Sequence, residues 1–149
     1  KAPAFTLKNN DGDSIALNKL KGQWVVLYFY PKDNSSGCTQ EAIEFSGLKR
    51  TFDKENAIVI GISPDSEKSH ANFIDKHKLK VELLSDPDHK ILEKYGVWQE
   101  KSMYGRKYMG VVRTTVLIDP AGKVSNLWEK VKVKGHAAEV KDTLCSLSG

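Results

Sequence analysis

The segment WVVLYFYP, residues 24–31, is a continuous run of apolar, β-branched and aromatic residues that ends at a proline. Such a run is typical of a strand that is buried on both faces of a sheet. The polar segment KDNSSG, residues 32–37, follows and is typical of a loop. From Cys38 to about Asn56, apolar residues recur at helical spacing. The stretch therefore predicts a strand, a loop and a helix, with Cys38 in the first turn of that helix.

Strand-like and helix-like segments alternate along the rest of the chain. Apolar runs, and a turn at residues 119–122, predict further strands over residues 57–62, 81–84, 114–118 and 123–133. Helical patterns predict helices over residues 65–79, over a short stretch through Tyr95 that Gly96 ends, and from Gly135 onward. In the last of these, Ala137, Val140, Leu144 and Leu147 share one side. This alternation implies an α/β fold with helices flanking a central sheet, and the late hairpin makes that sheet mixed. Because no linker or repeat interrupts the pattern, residues 1–149 are expected to form a single domain.

Composition excludes several classes of protein. The chain has a net charge of +4, 40% hydrophobic and 28% charged residues, as an ordinary globular domain does. Its lysines are spread out, and in residues 130–134 they alternate with valine, which predicts the wet face of a strand and not a nucleic-acid patch. No apolar run approaches the roughly 20 residues of a membrane span, and no signal-peptide pattern is present. Two cysteines make no disulfide framework, so a reducing compartment, the cytoplasm, is expected.

The predicted position of Cys38 is chemically informative. The start of a helix carries partial positive charge and unpaired N–H donors, and both favour a thiolate, the nucleophilic form of cysteine. Ser35 offers a hydroxyl three residues earlier, Pro31 fixes the backbone as the strand ends, and Gly37 lets the chain turn tightly. Buried core cysteines are also common, so position alone leaves a reactive and a packing role equally open.

The surrounding residues favour the reactive role. The segment YFYPKDNSSGCTQEA, residues 28–42, closely resembles the active-site segment of peroxiredoxins, in particular the bacterioferritin comigratory protein (PrxQ) branch. Pro31, Ser35 and Cys38 match the family's pattern of Pro, three residues, Thr or Ser, two residues, Cys. The resemblance continues in APAFTL (2–7), GISPD (61–65), MYG (103–105) and RTTVLID (113–119), so it covers essentially the whole chain.

The resemblance implies a thioredoxin-like fold and a thiol-dependent peroxidase that reduces hydrogen peroxide and organic hydroperoxides. It implies that Cys38 is the peroxidatic cysteine, which becomes a sulfenic acid, and that Arg113 reaches its thiolate from a distant strand. Glu41 occupies the family position that orients this arginine, and Ser35 would hold the substrate in line together with Arg113. No metal, haem or flavin cofactor is implied, and the expected partner is thioredoxin or another thiol reductant.

The chain departs from the family pattern at the second cysteine. Many members carry a resolving cysteine five residues after the peroxidatic one, where this chain has Ile43, and residues 65–79 also lack the cysteine that others place there. Ser35 and Ser36 replace the usual Thr and Pro of the loop. Cys145 is then a packing residue, a resolving partner within the chain or across a dimer, or an incidental thiol in a one-cysteine enzyme. We favour the one-cysteine type and a monomer, with a weak dimer through the active-site loops as the alternative.

Two other groups of residues have the composition of possible sites. His70 and His77 share a face of one predicted helix, but a metal site would also need nearby carboxylate or thiol ligands at suitable spacing, and no metal site is predicted. Aromatic and basic residues mix at Tyr104–Tyr108, which glycines punctuate. This segment is predicted to be a loop near the active-site mouth, either a mobile lid or a contact for the reductant.

Two other functions remain open on the sequence. The first is a thioredoxin-fold redox sensor or interaction module, in which oxidation of Cys38 would alter a partner contact with little turnover. Continuous turnover with a thiol reductant would separate it from the peroxidase. The second is a basic nucleic-acid-associated protein, which salt-dependent retention on DNA would support.

Overall fold

The computed structural model describes residues 2–148, without the side chain of Met103; Lys1 and Gly149, the ends of the predicted domain, lie outside the described residues. The strands are β1 (Thr6–Asn9), β2 (Ser14–Ala16), β3 (Trp24–Phe29), β4 (Ala57–Ser63), β5 (Glu82–Ser85), β6 (Trp98–Met103), β7 (Arg106–Val111), β8 (Thr114–Ile118) and β9 (Val124–Trp128). The α-helices are α1 (Ser36–Gly47), α2 (Lys49–Lys54), α3 (Glu67–His77), α4 (Lys90–Lys94) and α5 (His136–Ser148). Among these helices, none combines the length and apolar character needed to cross a membrane.

The strands form one large sheet and one separate hairpin. The seven-stranded sheet has the order β2-β1-β5-β4-β3-β8-β9, in which β3, β4 and β5 run parallel and the other pairings are antiparallel. Helices pack on both faces of this sheet. The predicted mixed sheet with flanking helices is therefore confirmed.

Strand β3 lies in the middle of this architecture and is buried on both faces. Because successive side chains of a strand point to opposite sides, Val26 and Tyr28 join the core formed with α1, α3 and α5. Leu27 and Phe29 join the core on the other face, which includes residues of α4. This two-sided burial is the reason why the strand is a continuous apolar run.

The helix predicted from Cys38 to Asn56 is two helices. α1 begins two residues earlier than predicted, at Ser36, and a break at Leu48 separates it from α2. Gly47 weakens the helix at this point because glycine loses more backbone entropy than other residues in a helix. The N–H of Leu48 then bonds to Phe45 O at 3.1 Å, three residues back, which ends α1 with a tighter turn.

The strand predicted over residues 123–133 is shorter than expected. β9 ends at Trp128, and Lys130 adopts a left-handed conformation with φ of 50°, which turns the backbone out of the sheet. The N–H of Val131 then donates to Arg113 O at 2.9 Å, and Arg113 is the residue that precedes β8. The alternation of lysine and valine over residues 130–134 therefore belongs to a loop and not to a strand.

Two further predictions need correction. The segment around Tyr104–Tyr108 is the antiparallel hairpin β6–β7 and not an irregular loop, because Tyr104 and Gly105 both have positive φ, as a tight two-residue hairpin turn requires. On α5, the residues Ala137, Val140 and Leu144 are buried as predicted, but Leu147 is 48% exposed. Leu147 lies in the last turn of α5, past the end of the core.

Candidate active site

Cys38 lies in the first turn of α1, directly beyond the carboxyl end of β3. Its side chain is only 1% exposed, and the turn is closed by a hydrogen bond of 2.9 Å from Thr39 N to Ser35 O. The sulfur is thus near the positive end of the helix dipole, as the sequence predicts. Burial alone fits both a reactive and a packing cysteine, so the neighbours of the sulfur decide between them.

Arg113 is the polar neighbour of Cys38. Its Nη2 donates to Cys38 Sγ at 3.2 Å, and its Nη1 donates to Glu41 Oε1 at 2.6 Å. The antiparallel pairing of β3 with β8 sets Thr114 opposite Phe29, which brings Arg113 to the end of β3 where α1 begins. A packing cysteine has no need of a buried guanidinium, so this contact favours the reactive role.

Gly37 makes room for this arginine. A Cβ atom at residue 37 would lie 3.3 Å from Arg113 Nη2, closer than an ordinary van der Waals contact. Glycine at residue 37 therefore leaves space for the guanidinium of Arg113, in addition to allowing the tight turn that the sequence suggests.

At this site, two acidic groups, the Cys38 thiol and the Glu41 carboxyl, both contact the positively charged guanidinium of Arg113. Burial raises the pKa of Glu41 to about 7, although the charge of Arg113 and its hydrogen bond lower it part of the way back. Burial also lowers the pKa of Arg113, but Glu41 and Cys38 together raise it above its ordinary value, so the guanidinium stays charged. Glu41 Oε2 has no hydrogen-bond partner among the described residues, so the carboxyl group depends on Arg113 alone.

Ser35 and Pro31 lie in the loop that precedes α1. The hydroxyl of Ser35 donates to Lys32 O at 3.0 Å, and this hydrogen bond stabilises the conformation of the loop. Pro31 follows Tyr30, the first residue after β3, whose N–H donates to Ile62 O of β4 at 3.1 Å. The structure therefore joins Cys38, Arg113 and Glu41 by direct contacts and places Ser35 and Pro31 in the supporting loop.

Sequence reasoning missed a buried cluster beneath this loop. Ligand-type atoms of Asp33, Asp65 and His70 lie within 4.8 Å of one another. The fold brings Asp33, 37 residues away in the chain, to His70, and Asp65 lies only five residues before His70. The expectation that the chain has no metal site stays a prediction. The carboxylates accept hydrogen bonds from protein donors, and a polar loop residue such as Asp33 gives no sequence signal of burial.

Lys101 on β6 was also missed. Burial lowers the pKa of Lys101, the charge of Arg113 lowers it further, and Cys38 acts in the opposite direction. These couplings place the amino group of Lys101 within electrostatic reach of the site. The conformation of this segment was predicted wrongly, and its place near the active-site mouth stays a prediction.

Comparison with known proteins identifies relatives of this chain. The family model described as the AhpC/TSA family matches residues 1–127. The peroxiredoxin Bcp of Bacillus subtilis (strain 168) is 45% identical over 148 residues, which cover 99% of this chain and 94% of that protein. A putative peroxiredoxin bcp of Coxiella burnetii is 49% identical over 140 residues, which cover 94% of this chain and 93% of that protein.

Solved structures with the same fold come from Xanthomonas campestris. The bacterioferritin comigratory protein of that organism, in a trapped intermediate/ligand complex, superposes with a TM-score of 0.93 at 40% identity, over 97% of this chain and 92% of that chain. A structure of its peroxiredoxin Q superposes with a TM-score of 0.93 at 41% identity, over the same shares of the two chains. These similarities confirm the thioredoxin-like fold and the resemblance that the sequence motifs indicated.

Proposed function

The chain belongs to the AhpC/TSA family, as a peroxiredoxin of the Bcp/PrxQ kind, and on that premise we propose that Cys38 is its peroxidatic residue. A peroxiredoxin is a thiol peroxidase, an antioxidant enzyme that takes a hydroperoxide as substrate and a thiol as reductant. The observation that carries the proposal is the contact of 3.2 Å between Arg113 Nη2 and Cys38 Sγ in the first turn of α1.

The proposed reaction begins with attack of the Cys38 thiolate on one oxygen of the hydroperoxide. A sulfur–oxygen bond forms, the oxygen–oxygen bond breaks, and two electrons pass from the sulfur to the peroxide. The leaving alkoxide or hydroxide takes up a proton and departs as alcohol or water, which leaves a sulfenic acid on Cys38. An external thiol then condenses with the sulfenic acid and releases water, and a second thiol restores Cys38 as a disulfide leaves.

Each neighbouring residue has a proposed role in this reaction. Arg113 stabilises the thiolate and the charge that develops on the peroxide oxygens, because its guanidinium remains a cation. Glu41 holds Arg113 in place through the contact of 2.6 Å. Ser35 and Pro31 shape the loop before α1, and the Ser35 hydroxyl would turn from Lys32 O to a bound peroxide.

The position of Cys145 supports the one-cysteine type. Ser148 in the same turn of α5 donates to Glu55 Oε2 at 2.7 Å, and Glu55 precedes β4 at the amino end of the parallel strands. Cys38 lies at the carboxyl end of the neighbouring strand β3, and a strand of seven residues spans about 20 Å. Because a disulfide needs Cα atoms about 4.4–6.8 Å apart, the two cysteines of one chain could not join without large rearrangement.

The local chemistry of Cys145 points the same way. Burial raises the pKa of the Cys145 thiol, and the Glu55 carboxylate raises it further. A thiol with a raised pKa forms less of the thiolate that attacks other sulfur groups. We therefore expect an external thiol, thioredoxin or a similar donor, to complete the cycle.

The remaining parts of the proposal concern substrate range and setting. Organic hydroperoxides are proposed beside hydrogen peroxide, because alkyl peroxide reduction activity is stated for the Xanthomonas campestris relative. Residues 1–149 are proposed to act as one domain and as a monomer. A reducing compartment such as the cytoplasm is proposed because the two cysteines lie far apart and form no disulfide framework.

Stopped-flow oxidation by hydrogen peroxide, followed by intact mass, tests this proposal. We expect the native chain and Cys145→Ser to react quickly and to reach sulfenic or sulfinic mass, and Cys38→Ser to be inert. A disulfide that forms in the native chain but not in Cys145→Ser would overturn the one-cysteine type. A Cys38 that reacts no faster than a free thiol would overturn the peroxidatic role, and fast oxidation without turnover by a thiol reductant would favour a redox sensor.

A further inference from the structure

A buried hydrogen-bond network lies beneath the loop that leads from β3 to α1. Its central residue is Asp33, which is 4% exposed although it stands in a polar loop. The Asp33 carboxylate accepts hydrogen bonds from Tyr30 OH at 2.6 Å and from Ser69 Oγ at 2.7 Å, and it lies 2.8 Å from His70 Nδ1. A carboxyl group with three hydrogen-bond partners is held in one orientation.

His70 is the ionisable partner in this network. Its ring is completely buried, and its Nε2 lies 3.0 Å from Leu84 O. A carbonyl oxygen only accepts hydrogen bonds, so Nε2 carries a hydrogen, and the contact of 2.8 Å at Nδ1 requires a further proton between the ring and Asp33. His70 therefore ties the loop residue Asp33 to strand β5.

The backbone of Asp33 is fixed as well. Its N–H donates to Asp65 Oδ2 at 2.8 Å, and the same oxygen accepts from Ser63 Oγ at 2.7 Å. Ser63 ends β4, and Asp65 lies between β4 and α3. Both the main chain and the side chain of Asp33 are thus anchored to elements outside the loop.

The anchored residue stands five positions before Cys38. Between them, the backbone of Asn34 adopts a left-handed conformation with φ of 65°. Residues other than glycine adopt this conformation at an energetic cost. Ser35 then bonds to Lys32 O through its hydroxyl and accepts from Thr39 N through its carbonyl. A continuous series of fixed contacts therefore leads from Asp33 to the first turn of α1.

We propose that Asp33 and His70 are positioning residues for the peroxidase reaction: anchored with Asp65, they hold the loop so that α1 presents the Cys38 sulfur to Arg113. The proposal rests on the proposed role of Cys38. The described contacts of Asp33 and His70 are not with Cys38, Arg113 or Glu41, so the pair acts through the loop and not on the substrate. A polar pair buried this deeply is expensive to desolvate and could be replaced by apolar residues if packing were its only role.

Two substitutions at residue 33 separate position from charge. Asp33→Asn and Asp33→Ala both remove the negative charge, but the amide can still accept from Tyr30 OH and donate to His70 Nδ1, whereas alanine can do neither. Each substitution removes the Asp33 charge together with the proton that lies between His70 and Asp33, so any electrostatic effect on the Cys38 thiolate would be the same in both variants. Loss of position would slow Cys38 in the alanine variant only.

The measurements are the second-order rate constant with hydrogen peroxide and the thiolate fraction from ultraviolet absorbance at neutral pH. We expect Asp33→Ala to react at least about tenfold more slowly, because small misplacements of a reacting group lower rates by such factors, with a smaller thiolate fraction. Asp33→Asn is expected to stay within about threefold of the native rate. Equal rates in the native chain and Asp33→Ala, or equal losses in both variants, would overturn the positioning role.

Further variants keep the test decisive if Asp33→Ala does not fold. Asp65→Ala removes the acceptor of the Asp33 N–H and is expected to slow Cys38 as well, and a native rate in this variant would overturn the proposal. Asp119→Ala is the matched control: it removes a carboxylate that accepts two backbone hydrogen bonds at the opposite end of the sheet, and should leave Cys38 unchanged. Slow oxidation of the native protein itself would instead overturn the proposed function.

Discussion

Arg113 contacts the sulfur of Cys38 and the carboxylate of Glu41 with two different nitrogen atoms. A guanidinium offers several donors in a rigid plane, so the contacts of 3.2 Å and 2.6 Å come from two nitrogens held in a fixed arrangement, which the single nitrogen of an ammonium group does not provide. At the scale of single residues, the site therefore depends on the shape of arginine as well as on its charge.

The substitution Arg113→Lys tests this dependence. We expect the rate constant of Cys38 with hydrogen peroxide to fall on the order of 10²-fold, because one donor to the developing charge is lost. Stopped-flow oxidation measures this rate. Arg50→Lys, at an exposed position of α2, is the matched control and should react as the native chain does. A rate for Arg113→Lys within about threefold of native would show that charge alone is sufficient.

The raised pKa of Glu41 predicts that the free energy of unfolding depends on pH. Its pKa rises from 4.5 in the unfolded chain to about 7 in the folded protein, so the folded state binds the proton more tightly. The contribution of Glu41 to the free energy of unfolding is therefore fully present below pH 4.5 and is lost as the pH rises through about 7. The loss is on the order of 3 kcal/mol, because each pKa unit corresponds to about 1.4 kcal/mol.

Glu41→Gln, which does not titrate, should remove this loss. Urea unfolding of the native chain and the variant at about pH 5 and about pH 8 measures it, and the advantage of Glu41→Gln should grow with pH. Glu93→Gln, at an exposed position of α4, should show no such growth. A constant difference between Glu41→Gln and the native chain across this range would contradict the prediction.

At the scale of elements, residue 37 in the first turn of α1 affects both the stability of the helix and the space available to Arg113. Gly37→Ala should stabilise the helix by up to about 1 kcal/mol, because alanine has the higher helix propensity. The new Cβ would stand 3.3 Å from Arg113 Nη2 and displace the guanidinium from the sulfur. We therefore expect Gly37→Ala to lower the rate of Cys38 oxidation several-fold while its unfolding midpoint in urea stays equal or rises.

Gly47 provides the matched control for this prediction. It ends the same helix, and a Cβ there would meet nothing within 4 Å. Gly47→Ala should leave the rate of Cys38 oxidation unchanged. Equal rates for Gly37→Ala and the native chain would show that Arg113 adapts to the extra atom.

Individual elements differ in how far the sequence predicted them. β3 and β4 were predicted to within one residue, because their apolar runs are decided by burial on both faces. The end of β9 and the hairpin β6–β7 were missed, because they depend on positive φ at Lys130 and Tyr104, a conformation that neither residue type signals. Element boundaries of this kind are set by turns and not by periodicity.

At the scale of the whole molecule, Gly61 allows the central strands and their side chains to pack together. A Cβ at this position would lie 2.7 Å from Tyr28 Cζ and 2.8 Å from Leu83 Cδ2. Gly61→Ala should lower the free energy of unfolding by about 1–3 kcal/mol, the usual effect of overpacking a core. Urea unfolding measures this change, with Gly47→Ala as the unhindered control, and an unchanged stability would mean that Tyr28 moves aside without strain.

Patterns within the sequence were sufficient to predict the alternation of strands and helices, the mixed sheet and the place of Cys38 in the first turn of a helix. These features follow from local periodicity, turn residues and a segment whose residues match a known family. The tertiary structure alone decided which distant groups meet: Arg113 with a sulfur 75 residues away, and Asp33 with His70, 37 residues away. The physical reason is that periodicity states which face of an element is buried, whereas strand order and register determine what that face touches.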